Sequence, residues 1–229
     1  MDTSSIDEAI AAIATGSMIV VVDAHDRENE GDIIMAAQCA TPESIAFMVR
    51  WTSGVLCVAL PAERLDALQV PLMVPHNTDS MNTAFTVTVD YRHGTTTGIS
   101  ASDRAKTIRA LVEPAALPGD FARPGHVFPL RAADGGVLHR PGHTEAAVDL
   151  VRLAGMRPGG VLAEIVSESG EMARLPELLL FARRFGLPLV TIQDLIDYRR
   201  QREPGFKDMS RDPNALGVAA FLEAAVINF

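Results

Sequence analysis

The chain has 229 residues, 48% of them hydrophobic and 21% charged, with a formal net charge of −9. That length supports one large domain with a substantial core, and the acidic balance excludes a protein that tracks nucleic-acid phosphates, which needs a basic face. No apolar run approaches the roughly 20 residues that span a bilayer, and the start, Met1-Asp2-Thr3-Ser4-Ser5, has no charged-then-apolar leader, so the expected location is the cytoplasm.

Hydrophobic periodicity predicts the following elements in chain order: helix 6–15, strands 18–23 and 33–37, helix 42–51, strand 55–60, helix 62–68, strand 84–89, helix 103–111, strand 127–131, helix 145–154, strand 161–166, helix 175–185, strand 187–191 and helix 192–199. Such interleaving predicts an α/β fold of the α+β type: three layers, a mixed twisted β-sheet with helices on both faces. Residues 70–81, with Pro71, Pro75, His76 and Asn77, lack periodicity and read as a loop able to close over a substrate. The organisation expected is one domain over 1–200. After it come a polar, breaker-rich linker over 201–213 and an accessory tail over 214–229, with helical apolar spacing through Leu216, Ala220, Leu222 and Val226.

Between the first two predicted strands lies Arg27-Glu28-Asn29-Glu30-Gly31-Asp32, one guanidinium and three carboxylates in six residues. Gly31 is read as the residue that permits the turn, so that the acids converge at the strand ends. Converging acids repel unless a positive charge intervenes. Arg27 supplies part of it, and a hard divalent cation with oxygen ligands is the natural remainder. A solvated charged turn is the bland alternative.

A second cluster, His139-Arg140-Pro141-Gly142-His143-Thr144-Glu145, directly precedes the predicted helix 145–154. With Thr144 as N-cap, the free amides of the first turn favour a phosphate or carboxylate. Arg140 can clamp the same anion, and His143 adds an imidazole that can ligate or carry a proton. The alternative is an ordinary capped helix. Asp103 and Arg104 at another helix start are adequately explained as cap and solvated charge. The two cysteines, Cys39 and Cys57, lie in apolar runs without metal-ligand spacing, which fits a reducing compartment.

Five separated motifs carry a family resemblance: Asp26-Arg27-Glu28-Asn29-Glu30-Gly31-Asp32, Thr83-Ala84-Phe85-Thr86-Val87, Thr96-Thr97-Gly98-Ile99-Ser100-Ala101, Arg123-Pro124-Gly125-His126-Val127-Phe128-Pro129-Leu130 and Gly142-His143-Thr144-Glu145-Ala146. In joint order and spacing the chain resembles 3,4-dihydroxy-2-butanone-4-phosphate synthase, in its monofunctional form, across residues 6–199. The resemblance implies that Glu28 and His143 hold a divalent metal, Mg²⁺ or Mn²⁺, as one or two ions, with Glu30 assisting. It implies that Arg27, Asp32, Arg140 and Thr144 bind a sugar phosphate, helped by Pro141, Gly142 and His143. His126 and Glu164 take the catalytic positions, Cys57 lines the site and Thr97 lies nearby. Glu164 is flanked by Val161-Leu162-Ala163 and Ile165-Val166, which hints at the partial burial its implied role calls for, while the residues alone favour an acid that faces solvent from an amphipathic strand.

The implied reaction turns D-ribulose 5-phosphate into L-3,4-dihydroxy-2-butanone 4-phosphate and formate. Its course is enolisation at C3, dehydration, a 1,2-shift and loss of C4, with no organic cofactor. A homodimer is the implied assembly. Departures from the family pattern are Ala24 and Gln38, where relatives carry acids, and Ser167-Glu168-Ser169-Gly170-Glu171 in place of a more usual turn. Two rivals remain: a metal-dependent sugar-phosphate isomerase, which releases no formate, and a non-catalytic phosphosugar binder, which needs neither His126 nor Glu164.

Overall fold

A computed structural model describes residues 3–203. The expected linker and tail over 201–229 lie outside the described residues from position 204 onward.

Seven helices, α1 (Ile6–Ala14), α2 (Pro42–Trp51), α3 (Ala62–Ala67), α4 (Ala101–Val112), α5 (His143–Leu153), α6 (Leu175–Phe185) and α7 (Ile192–Arg202), surround one sheet. The strands are β1 (Ile19–Val22), β2 (Gly31–Ala36), β3 (Cys57–Leu60), β4 (Val89–Tyr91), β5 (Phe121–Arg131), β6 (Gly160–Glu164) and β7 (Leu189–Thr191). Local chemistry starts the helices where expected. Ser5 and Glu8 form a capping box on α1, Thr41 caps α2 ahead of Pro42, and Gly186 closes α6 in the left-handed conformation at φ 64°.

The sheet order is β4-β5-β3-β6-β2-β1-β7, with β1/β7 and β3/β5 parallel and the remaining neighbours antiparallel. Every residue of β1 and β2 is buried, because both faces of the sheet are covered. Val20, Val22, Ile33 and Met35 pack toward α2, α4 and α6, whereas Ile19, Val21, Ile34 and Ala36 pack toward α1, α5 and α7. This is the three-layer mixed sheet predicted, and continuous apolar runs are what double coverage requires.

Four local expectations are corrected. Residues 84–88 form no strand. Phe85 and Thr86 make isolated bridges to Leu130 and Leu72, and the edge strand β4 begins only at Val89. The Thr86 N–H donates to the Pro129 carbonyl at 3.1 Å, but Pro129 has no N–H to return, so the ladder stops. Gly31 makes no turn: it opens β2, and the left-handed residue of the link is Asn29 at φ 57°. What Gly31 provides is room, since a Cβ there would fall 2.5 Å from Leu178 Cδ1. Ser100, not Asp103, caps α4, and both Asp103 and Arg104 are buried.

Candidate active site

The acidic motif is the link between the antiparallel strands β1 and β2, leaving at Val22 and returning at Gly31. Asp23, buried at the end of β1, clamps it. Its carboxylate accepts the backbone N–H groups of Glu28 at 3.0 Å and Glu30 at 2.8 Å, and Arg27 Nη1 at 3.0 Å. From the far side Arg174 donates to the carbonyls of Glu28 and Asn29. With its amides and carbonyls held, the link can project Glu28, Glu30 and Asp32 into one cleft of about 210 Å³.

Helix α5 meets this cleft end-on. Gly142 is the N-cap residue, extended at φ −115°, and His143 is the first helical residue, so Thr144 is no cap. Glu145, which a capping arrangement would use, instead accepts from Arg140 Nη1 at 2.7 Å and the Ala133 N–H at 2.9 Å. Gly142 is required by space: a Cβ there would lie 2.4 Å from Arg140 Nη1 and 3.0 Å from Arg27 Nη2. Two guanidinium groups therefore converge on the amide-rich start of α5, an arrangement built for a phosphate dianion. Arg140 is itself braced by the Met81 carbonyl at 3.0 Å and by Thr83 at 3.3 Å, which ties residues 70–84 to the cleft, with Asp79, Thr83 and Phe85 in its wall.

His143 is buried against the acids. Its Nε2 donates to the Val21 carbonyl at 3.2 Å, which leaves Nδ1 facing Glu28 Oε2 at 3.7 Å and Asp32 Oδ1 at 3.9 Å. A magnesium ion holds oxygens at about 2.0–2.1 Å, so two ligand atoms on one ion lie about 3 Å apart at right angles and about 4.2 Å apart across it. The Glu28–His143 separation falls between these, so both can grip one cation. Asp32 Oδ1 is buried without a hydrogen-bond partner, the mark of a group waiting for a ligand. Asp23 also offers an oxygen within 4.8 Å of the other two. Its oxygens already receive the link's donors, so we assign it to holding the link.

The charges report the same crowding. The His143 imidazole facing it, with the nearby Arg27, holds Glu28 down at about 2 despite its partial burial. Burial, with the neighbouring Glu164, Glu28 and Glu30 carboxylates, lifts Asp32 to about 7 against the pull of His143. Burial disfavours a charged His143, yet Asp32, Glu28 and Asp23 outweigh it and raise the imidazole to about 9. Glu30 is raised by burial and then by Glu28 and Glu164. Burial pushes the Cys57 thiol far up, so it lines the cleft as a protonated, unreactive wall.

Nine of the residues singled out in the sequence line this one cleft: Arg27, Glu28, Glu30, Asp32, Cys57, Arg140, His143, Thr144 and Glu164. Glu164 is exposed, contrary to the partial burial its implied role calls for, because β6 ends at it: the strand's first four residues are buried and the fifth opens outward. It stands across from Asp32 in the sheet, and its Oε2 accepts from Ser53 Oγ at 2.9 Å. Pro141 and Gly142 are not part of the cleft lining. His126, on β5, and Thr97, in the turn before α4, do not line the cleft of their own chain. Sequence reading missed the work of Asp23 and Arg174. Asp23 was signalled by its place at the end of a β-branched run, whereas Arg174 acts on the link from 145 residues away and left no local sign.

Residues 7–198 match the family model for 3,4-dihydroxy-2-butanone 4-phosphate synthase. The chain belongs to the 3,4-dihydroxy-2-butanone 4-phosphate synthase family. It is 61% identical over 198 residues to the synthase of Agrobacterium fabrum, covering 86% of this chain and 93% of that protein. It is 57% identical to the riboflavin biosynthesis protein RibBA of Salinispora arenicola, of which it spans only 47%. The crystal structure of a family synthase in complex with two magnesium ions superposes with a TM-score of 0.86 at 48% identity, covering 89% of this chain and all of that one. A cation-free form superposes with a TM-score of 0.82 at 47% identity, covering 88% of this chain. The chain is thus an enzyme of riboflavin biosynthesis acting on a sugar phosphate, converting D-ribulose 5-phosphate to L-3,4-dihydroxy-2-butanone 4-phosphate and formate.

Proposed function

We propose that this conversion takes place in the cleft between the β1–β2 link and the start of α5, within a synthase unit of residues 1–200. The observation that carries the reading is the 3.7 Å approach of Glu28 to His143 beside the paired guanidinium groups. Arg27, Arg140 and the first amides of α5, with Thr144, bind the phosphate. Asp32, whose free oxygen faces the cleft, binds a substrate hydroxyl. Glu28 and His143 hold Mg²⁺ or Mn²⁺, with Glu30 placed to assist directly or through water, and a family neighbour is known with two magnesium ions. Such an ion polarises the substrate carbonyl and stabilises negative oxygen as it develops.

Each stage of the reaction moves a proton or develops negative oxygen, and Glu164 is a carboxylate on the open side of the cleft, poised by Ser53 to give and take protons. His126 is the second proton carrier. Because it lies outside the cleft of its own chain, we propose that it serves the cleft of a second copy in a homodimer, so that each site is completed across the interface. Among the described residues no helix is long and apolar enough to cross a membrane, and we propose a cytoplasmic enzyme.

The test is to incubate the protein with ribulose 5-phosphate and Mg²⁺ and measure formate. The wild type should release formate only without chelator, and Glu28→Gln and His126→Ala should release none. Consumption of substrate without formate would favour an isomerase, and a chelator-resistant wild type would end the assignment of the metal.

A further inference from the structure

Away from the cleft, the outer face of α4 borders a groove of about 360 Å³ walled by hydrogen-bond donors. Lys106 and Arg109, three residues apart on α4, share that face. Tyr91 of β4, Gln38 of the 3₁₀ turn Ala37–Cys39 and Arg157 of the loop before β6 complete the wall. Glu113, at the end of α4, is its one carboxylate, so three cationic side chains face one acid in a chain whose net charge is −9.

Each cation is fixed in place yet keeps donors to spare. Lys106 Nζ donates to the Gly94 carbonyl and Arg109 Nη1 to the Ala40 carbonyl, one each of the three and five N–H groups these side chains carry. Gln38 Oε1 accepts the backbone N–H of Arg157 at 3.0 Å, so the part of the Gln38 amide left without a bond is its NH₂ group. Arg157 Nη1 meets Glu113 Oε2 at 2.7 Å with both side chains about half exposed, an ion pair that contributes little and that an incoming anion can replace. The groove also lies at the far end of the strands that feed the cleft. β2 carries Asp32 at its start and closes at Ala36, shortly before Gln38, and β6 begins at Gly160, shortly after Arg157, and ends at Glu164. Asp32 and Ala36 are about 13 Å apart along the strand, and the two cavities share no lining residue.

We propose that this groove is a second anion site, taking the phosphate dianion of a small phosphorylated metabolite. Three cations against one acid leave two positive charges, which match a dianion, and two guanidinium groups with an ammonium suit its tetrahedral oxygens. Nucleic acid is a poor fit, because the groove is a single pocket on an acidic chain. The assignment does not depend on how the cleft works.

The test is uptake of inorganic phosphate by the full chain, measured by equilibrium dialysis in about 0.15 M NaCl, which screens loosely attracted surface ions. Because the cleft also offers guanidinium groups to phosphate, the readout is a difference between proteins. Gln38→Glu retains an acceptor for the Arg157 N–H and adds a negative charge to the groove, whereas Arg109→Gln/Arg157→Gln removes two cations. The wild type should bind one phosphate per chain more than either variant, the groove's affinity falling at least about tenfold in each. Both variants should keep kcat and KM for ribulose 5-phosphate within about twofold of the wild type. Equal uptake by the wild type and Gln38→Glu overturns the proposal. So does a loss of activity that accompanies the loss of uptake, since the phosphate lost would then be the cleft's. Gln38→Glu, which conserves the shape of the side chain, decides alone where the double variant folds poorly.

Discussion

Raising the pH from 7 to 8 should tighten divalent-cation binding about tenfold, because His143 must release a proton before Nδ1 can act as a ligand. Burial opposes charge on this ring, but Asp32, Glu28 and Asp23 outweigh it and bring the imidazole to about 9. At pH 7 the ring is therefore mostly protonated, and giving up that proton subtracts on the order of 3 kcal/mol from the intrinsic affinity. A raised pKa means protonation persists to higher pH, so apparent affinity climbs with pH and levels off above about 9. Asp32, lifted to about 7 by burial, adds a second proton to be displaced below that pH and steepens the slope there. The assay is Mn²⁺ titration by electron paramagnetic resonance between pH 6 and about 10, with calorimetry in buffers of different ionisation heat to count protons released. About one proton per ion is expected near pH 8. A flat affinity between pH 7 and 9 with no proton released would refute the reasoning, since the ring would then be neutral before the ion arrives.

Gly142→Ala places a methyl group 2.4 Å from Arg140 Nη1 and 2.8 Å from Glu145 Oε2, so KM for the sugar phosphate should rise roughly tenfold, worth about 1.4 kcal/mol, with the melting temperature almost unchanged. An unaltered KM would show that the two guanidinium groups do not set phosphate affinity. Asp149→Ala removes the buried acceptor of the Val137 N–H at 2.8 Å and of Arg199 Nη1 at 2.7 Å, and should cost about 3 kcal/mol in urea unfolding. A loss below about 1 kcal/mol would contradict a buried pair that matters for stability. Mixing inactive Glu28→Gln with inactive His126→Ala, followed by subunit exchange, should restore about a quarter of wild-type formate release if sites are completed across a homodimer. Activity that stays at zero after verified exchange would place both groups in one subunit's site.

What the sequence announced and what it hid follow from range. The buried strands β1 and β2 were legible because coverage on both faces leaves no polar position to break the apolar run. Helix α5 was legible from its closing Gly155 and apolar spacing, although its cap was misread: Gly142 is the N-cap residue and Thr144 already lies in the first turn. The expected strand over 84–89 failed on a partner's chemistry, the missing N–H of Pro129, which the strand's own residues cannot reveal. Strand β5 was expected only from Val127, yet it begins at Phe121, since its first half lies beside the edge strand β4, where a proline is tolerated. In the cleft, residues within the two motifs could be named in advance because each motif is a short contiguous stretch. Asp23 supporting the link and Arg174 bracing it act across folded distance, and no local pattern marks such a contact.

The central claim is that Glu28 and His143 share one cation beside the phosphate-binding start of α5. Crystals soaked in Mn²⁺ and measured at the manganese absorption edge test it directly. An anomalous peak is predicted within coordination distance of both Glu28 Oε2 and His143 Nδ1, and it should vanish in Glu28→Gln. Manganese held elsewhere, with Glu28 and His143 left in contact with each other alone, would contradict the account.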